Sequence, residues 1–172
     1  MKQTLSVGRL DDFSIQTLIH LFGINTVMAS QKLGDYVPVR VSDVGFADEN
    51  GVEGMLKLRA VNNRSFAMRS FSGEVAMHIS RFVHGDRSSI PSIFNIVEEL
   101  AERSGLHLAC VEVYPSGNVL RSDLHFLGRG GDSLIRGYRA SDGIALGLFY
   151  DAPIMLHHSL LGKEKISTAR LK

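Results

Sequence analysis

The chain has 172 residues, 44% of them hydrophobic and 22% charged, which is ordinary for one soluble globular domain with a short extension. Its formal net charge of +1 excludes a strong positive electrostatic field over the whole molecule, of the kind that attracts nucleic acid. Its single cysteine, Cys110, excludes an intramolecular disulfide framework. Because the N-terminal stretch lacks the apolar core of a signal peptide and no run of about 18 apolar residues occurs, we expect a soluble, cytoplasmic protein without a membrane span.

Residues 1–36 differ in pattern from the rest and are predicted to be an N-terminal extension with one short helix, capped by Asp11 or Asp12. The next three segments alternate apolar and polar residues, and turn residues separate them. They predict strands over residues 37–46, 52–61 and 65–71. Together these strands form an antiparallel meander.

Two helices are predicted to follow the meander. Ser72 is a suitable N-cap for the first helix, and Gly85 ends its apolar periodicity. Ser92 caps the second helix, and Gly105 stands where a left-handed residue commonly ends a helix.

The remaining pattern predicts strands over residues 106–114, 119–127 and 133–139, a helix from about 142 to 150, and a last strand over 154–157. The order β-β-β-α-α-β-β-β-α-β predicts an α+β fold, with helices packed on a mostly antiparallel mixed sheet. We expect this domain to span residues 37–162, followed by a loose basic tail over 163–172.

The segment that joins the last hairpin to its helix contains Arg139, Ser141 and Asp142. In a structural interpretation, Ser141 caps the helix and Asp142 lies at the positive end of the helix dipole. In a functional interpretation, Arg139 and the unpaired N–H groups of the helix start bind an anion, or Asp142 holds a divalent cation.

The first helix carries Glu74 and His78 at i, i+4 spacing, so their side chains share a face. Three interpretations are open for these two residues: an acid–base pair, two ligands of a metal site, or a polar helix face exposed to solvent.

In the last helix, Gly143 and Gly147 lie one turn apart and allow close approach of either the sheet or a second subunit.

Three other features have simpler interpretations. His157 and His158 are adjacent on a strand and are expected to point to opposite faces, so one ion does not take both. Cys110 alternates with Leu106 and Leu108 and is expected in the core, the alternative being a catalytic thiol. Arginine makes up 13 of the 19 basic residues, which either favours anionic ligands or reflects genomic base composition.

Residues 139–146, which read Arg-Ala-Ser-Asp-Gly-Ile-Ala-Leu, are followed by Ala-Pro-Ile at 152–154. These motifs and the order of the predicted strands and helices together resemble the bifunctional nuclease domain family. The resemblance covers about residues 37–161. The helix segment from Glu74 to Ile79 adds weaker similarity. The resemblance implies an α+β fold, a homo-oligomer with a dimer as the first expectation, and nuclease activity on RNA and DNA as in some plant members.

The chain departs from the family pattern, which usually reads Asp-Ala-Arg-Pro-Ser-Asp in this segment. Gly137 replaces the first acid, Ala140 replaces the proline, and residues 93–95 replace a Thr-His-Asp that commonly opens the second helix. Arg139, Ser141, Asp142 and Glu74 remain.

Two functional hypotheses follow from these residues. In the first, a nuclease hydrolyses phosphodiester bonds: Asp142 and Glu74 hold Mg²⁺ or Mn²⁺ that activates water, and Arg139, with Ser141 in the anion site, stabilises phosphate charge. In the second, favoured by the replaced acid and Thr-His-Asp, the domain is a catalytically silent, homo-oligomeric interaction or regulatory module that binds a protein or an anionic ligand.

Overall fold

The computed structural model describes residues 33–162, so the predicted N-terminal helix and the basic tail lie outside the described residues. The elements follow the predicted order, and the α+β class is confirmed. In chain order, they are β1 (Tyr36–Phe46), β2 (Glu53–Ala60), β3 (Ser65–Ser72), α1 (Gly73–Val83), α2 (Ile93–Arg103), β4 (Leu106–Ser116), β5 (Val119–Gly128), β6 (Ser133–Arg139), α3 (Ala140–Tyr150) and β7 (Ile154–His157). None of the described helices is long and apolar enough to cross a membrane.

The seven strands form one sheet in the order β3-β2-β1-β7-β4-β5-β6. All neighbouring strands are antiparallel except β4 and β7, which pair in parallel. The short strand β7 joins the two halves of the sheet, since Ile154 pairs with Val39 on one side and with Val111 on the other. The predicted mixed, mostly antiparallel sheet is therefore confirmed.

The helices α1 and α3 pack against each other and against the sheet, α1 mainly on β1 and β2, and α3 on β4 and β5. The apolar side chains between these layers form the core. Rings of Phe82, Phe94 and Phe149 from the three helices meet with centroids 5.1 to 5.9 Å apart. Within residues 33–162, the side chains without exposed surface include those of Leu58, Ile79, Val111, Val113, Ser122, Ile144, Ala145 and Leu156.

Helix α3 lies very close to the sheet at Gly143 and Gly147. A Cβ atom at Gly143 would lie 2.3 Å from Ser122 Oγ and 2.7 Å from Ser122 Cβ. At Gly147 the nearest atom would be Val111 Cγ2, at 3.1 Å. Of the two predicted uses of this glycine face, the structure therefore shows packing on the sheet.

The start of α3 differs from the prediction. The helix begins at Ala140 rather than at about Asp142, and Arg139 is the N-cap residue. Ser141 lies inside the first turn and is buried, so it does not cap the helix. The expectation failed because β6 runs directly into α3, and no turn separates the two elements.

Two expectations of strand alternation were also wrong. A register shift between Leu108 and Cys110 places Leu108, Val111 and Val113 in the core and leaves Cys110 only partly buried. Strand β7 ends at His157, so His158 belongs to the next turn, and the two imidazole rings stack with centroids 4.9 Å apart.

Candidate functional site

A cleft of about 470 Å³, here called the helix cleft, opens where the first turn of α3 faces α1. It contains three predicted site residues, Glu74, Arg139 and Asp142, together with His78 and Tyr138. Its remaining lining is Val75, Ile93, Phe94, Val97, Leu124, Phe126, Ile135, Gly143 and Leu146. The fold thus brings polar groups that are far apart in sequence to the mouth of a largely apolar depression.

The α1 side of the helix cleft carries Glu74 and His78 one turn apart. His78 Nε2 lies 4.0 Å from Glu74 Oε1, and the two side chains are 19% and 77% exposed respectively. The imidazole ring packs against Phe82 and Phe94, with centroids 5.8 and 5.2 Å away. Its Nδ1 is buried and has no hydrogen-bond partner within residues 33–162. The Glu74 carboxylate is therefore exposed to solvent, whereas the imidazole is packed between aromatic rings.

The α3 side of the helix cleft carries Arg139 and Asp142. Arg139 Nε donates a hydrogen bond of 2.7 Å to Asp142 Oδ2, and this ion pair is partly exposed to solvent. One edge of the guanidinium is therefore occupied by the carboxylate. The arginine side chain is 67% exposed, so its terminal nitrogens remain accessible to an anion.

Arg139 also belongs to the wall of a second, larger cleft of about 850 Å³, here called the arginine cleft. This cleft contains Arg69, Arg121, Glu53, Ser70 and Ser141. The structure therefore divides the predicted site residues between two clefts. Glu74 and Asp142 line the helix cleft, Ser141 lines the arginine cleft, and Arg139 lines both.

The predicted metal site needs carboxylate or imidazole ligands that converge on one point. In the part of the chain that the structure describes, no three His, Cys, Asp or Glu side chains lie close enough together to hold an ion. Glu74, His78 and Asp142 are therefore not gathered around one point in this structure. The divalent metal at Asp142 stays a prediction.

The structure gives a backbone reason for glycine at position 137. Its φ angle is +78°, in a region that side chains with a Cβ atom rarely adopt. Its N–H donates to Asp123 Oδ1 at 3.0 Å, and its carbonyl accepts from Arg121 at 3.3 Å. Asp123 also accepts a 2.8 Å hydrogen bond from the Tyr114 hydroxyl.

Cys110 does not have the surroundings of a nucleophilic thiol. Burial and, secondarily, the Glu112 carboxylate raise the pKa of the Cys110 thiol to about 12. Since the thiolate is the reactive species, the thiol is unreactive near neutral pH. This argues against the catalytic-thiol alternative.

Stability should fall at alkaline pH. Burial is the main cause that raises the pKa of Tyr36, Tyr150 and Cys110 to about 12. The folded chain then holds protons that the unfolded chain releases above about pH 9 to 10, so a rise in pH favours unfolding. The urea midpoint should drop between about pH 8 and pH 11. A urea midpoint that does not change over this pH range would contradict the prediction. Tyr150→Phe removes one of the three groups and should make the decrease of the midpoint with pH smaller.

The sequence did not single out Arg69, Arg121 or Tyr138. Arg121 faces Arg139 directly across β5 and β6, a pairing that appears only once the hairpin register is known. Arg69 belongs to β3, at the opposite edge of the sheet. The excess of arginine in the composition was the only signal that could have pointed to the two arginines, and no signal pointed to Tyr138.

No protein-family model and no curated protein matches the chain.

Proposed function

We propose that the domain hydrolyses phosphodiester bonds of RNA or DNA in the helix cleft, as a cytoplasmic nuclease. One observation carries the proposal: α1, β6 and α3 bring Glu74, His78, Arg139 and Asp142 to a single cleft. This set offers a cation for a phosphate group, an imidazole for proton transfer, and carboxylates that orient both. The resemblance of residues 139–146 to the bifunctional nuclease domain family supports the same chemistry.

Each residue has a role in this proposal. Arg139 binds the phosphate and stabilises the charge that develops on its oxygens, while Asp142 holds the guanidinium in place through the 2.7 Å hydrogen bond. His78, which Phe82 and Phe94 hold on the cleft wall, accepts the proton of the attacking hydroxyl or water as the new P–O bond forms. It returns this proton to the leaving-group oxygen as the original P–O bond breaks. Glu74 stabilises the imidazolium that the first transfer creates.

An assay of the full chain on single-stranded RNA and DNA tests the proposal. The wild-type protein should cleave one or both in Mg²⁺, in Mn²⁺ or in EDTA, and Asp142→Asn should lower the rate at least about 100-fold in every condition. Cleavage that EDTA abolishes would support the predicted metal. Cleavage in EDTA would support proton transfer by His78 without a metal. Absence of cleavage in all conditions would overturn the proposal.

A catalytically silent binding module is the second candidate, and a specific observation favours it. Arg139 and Asp142 already satisfy each other as an ion pair, and the carboxylates do not converge with His78 on a common point. In this case, the same cleft binds a protein or an anionic ligand without turnover. Arg139→Ala would then weaken binding, and no product would form.

Self-association, with a dimer as first expectation, is part of both candidates. The outer face of α2 exposes three apolar side chains at i, i+3 and i+7 spacing, namely Ile93, Ile96 and Leu100, which are 54 to 62% exposed. Apolar stripes of this kind occur at two-fold helix contacts between identical subunits. The molar mass of the purified protein, measured by light scattering, decides between monomer and oligomer.

A further inference from the structure

The arginine cleft brings together parts of the sheet that are far apart in strand order. Arg69 and Ser70 come from β3 at one edge, whereas Arg121 and Arg139 come from β5 and β6 at the other edge. The cleft therefore exists only because the sheet curls until its edges face each other. Glu53, at the start of β2, is the acidic residue in its lining.

The lining of this cleft contains three arginines and one glutamate, and Arg139 is also paired with Asp142, which lies outside the lining. Arg121 and Arg139 are direct cross-strand partners, and like charges in this arrangement destabilise a sheet. The Arg69 side chain makes no ion pair or hydrogen bond with any residue of the described range 33–162. Glu53 accepts a 2.9 Å hydrogen bond from Ser70 Oγ and keeps its negative charge, so the lining holds three cations and one anion. An anionic ligand would relieve this repulsion.

The β3 wall of the cleft contains a strained residue. Ser70 has a φ angle of +61°, which is uncommon for a residue with a side chain, and it lies where the pairing of β2 and β3 shifts register. Irregular backbone of this kind concentrates at functional sites, where it re-aims neighbouring side chains. At this point in β3, the neighbouring side chain is that of Arg69.

We propose that the arginine cleft binds the phosphate backbone of a single-stranded nucleic acid whose next phosphate lies in the helix cleft. The proposal rests on the proposed function, and Arg139, which lines both clefts, provides the connection. A ligand that occupies both clefts must carry anionic groups at several points along an extended chain. The planar forks of three arginines suit phosphate oxygens.

Binding is measured by fluorescence anisotropy with a labelled single-stranded oligonucleotide whose linkages are nuclease-resistant phosphorothioates and the full-length protein in EDTA, with a gel to show that the oligonucleotide stays intact. Arg69→Gln should raise the Kd about three- to tenfold and reduce the salt dependence of log K by about 0.7, since one phosphate contact is lost. The effect should be the same for oligo-dT and oligo-dA, because phosphate contacts carry no sequence information. Arg121→Gln should act in the same direction.

Arg103→Gln is the matched control. Arg103 is an exposed arginine on α2 that pairs with Glu99 and belongs to neither cleft. Binding that is unchanged in Arg69→Gln relative to the wild type would overturn the inference. Equal affinity for an acidic peptide or for free inorganic phosphate would also overturn it, since either result means that the cleft selects charge alone.

The cleavage and binding assays distinguish an error in the proposed hydrolysis from an error in the proposed nucleic-acid site. If the oligonucleotide binds through Arg69 but is never cleaved in any metal, the hydrolytic function is wrong and the nucleic-acid site stands. If the protein cleaves RNA or DNA while Arg69→Gln leaves both the Kd and the KM unchanged, the hydrolytic function stands and the arginine cleft is not its substrate site.

Discussion

Arg139→Gln should lower the rate of phosphodiester cleavage at least about 100-fold, because the substitution removes the cation nearest to the reacting phosphate. It should also weaken oligonucleotide binding in EDTA, since the same side chain lines the arginine cleft. The fold should be unaffected. The guanidinium is 67% exposed, and exposed ion pairs contribute at most about 1 kcal/mol to stability.

Cleavage rates, anisotropy and thermal unfolding measured on one preparation check this expectation. The control is again Arg103→Gln, which removes an equally exposed arginine and an ion pair within one helix. Retention of both cleavage and binding in Arg139→Gln would show that the two clefts are not connected through this residue. A large loss of stability would instead assign Arg139 a structural role.

Gly143→Ala should destabilise the domain by about 1 to 3 kcal/mol, although alanine is favoured over glycine within helices by about 1 kcal/mol. The added methyl group would lie 2.3 Å from Ser122 Oγ, and Ser122 has no exposed surface into which it can move. Ser122 Oγ also donates a 3.2 Å hydrogen bond to the Arg139 carbonyl. Displacement of Ser122 would therefore disturb the start of α3 that carries the candidate site.

Chemical denaturation of two further variants tests this explanation. Gly130→Ala adds a methyl group where no atom lies within 4 Å, and it should leave stability unchanged. The double variant Gly143→Ala, Ser122→Gly removes the clashing atoms and should recover part of the lost stability. If Gly143→Ala is as stable as the wild type, α3 leaves room for a methyl group beside Ser122, and this explanation is wrong.

Local patterns predicted most of the elements because their signals are short-range. The alternation in β2 matches its burial, in which every second residue from Gly54 to Ala60 is buried. The helices predicted from Ser72 and Ser92 were found, and Gly105 has the expected left-handed φ of +67°. One error occurred at the junction of β6 and α3, where the strand runs into the helix without a turn. Another occurred where pairing with a neighbouring strand decides the outcome. The register shift at Cys110 is invisible in a single strand.

The candidate site was predicted in part. Glu74, Arg139 and Asp142 were selected from their residue types and from the family resemblance, and the fold places them in one cleft. The arginine cleft was not predicted, because it depends on the curl of the sheet and on the register that sets Arg121 opposite Arg139. Long-range geometry of this kind leaves no periodic pattern in the sequence.

The most direct test of the hydrolytic proposal is the cleavage rate of wild-type protein and Asp142→Asn, purified in parallel and assayed on single-stranded RNA and DNA in Mg²⁺, Mn²⁺ and EDTA. The activity should elute with the wild-type protein and be at least about 100-fold lower in the variant under every condition. Equal rates in both proteins, or no cleavage by either, would contradict a hydrolytic site in the helix cleft.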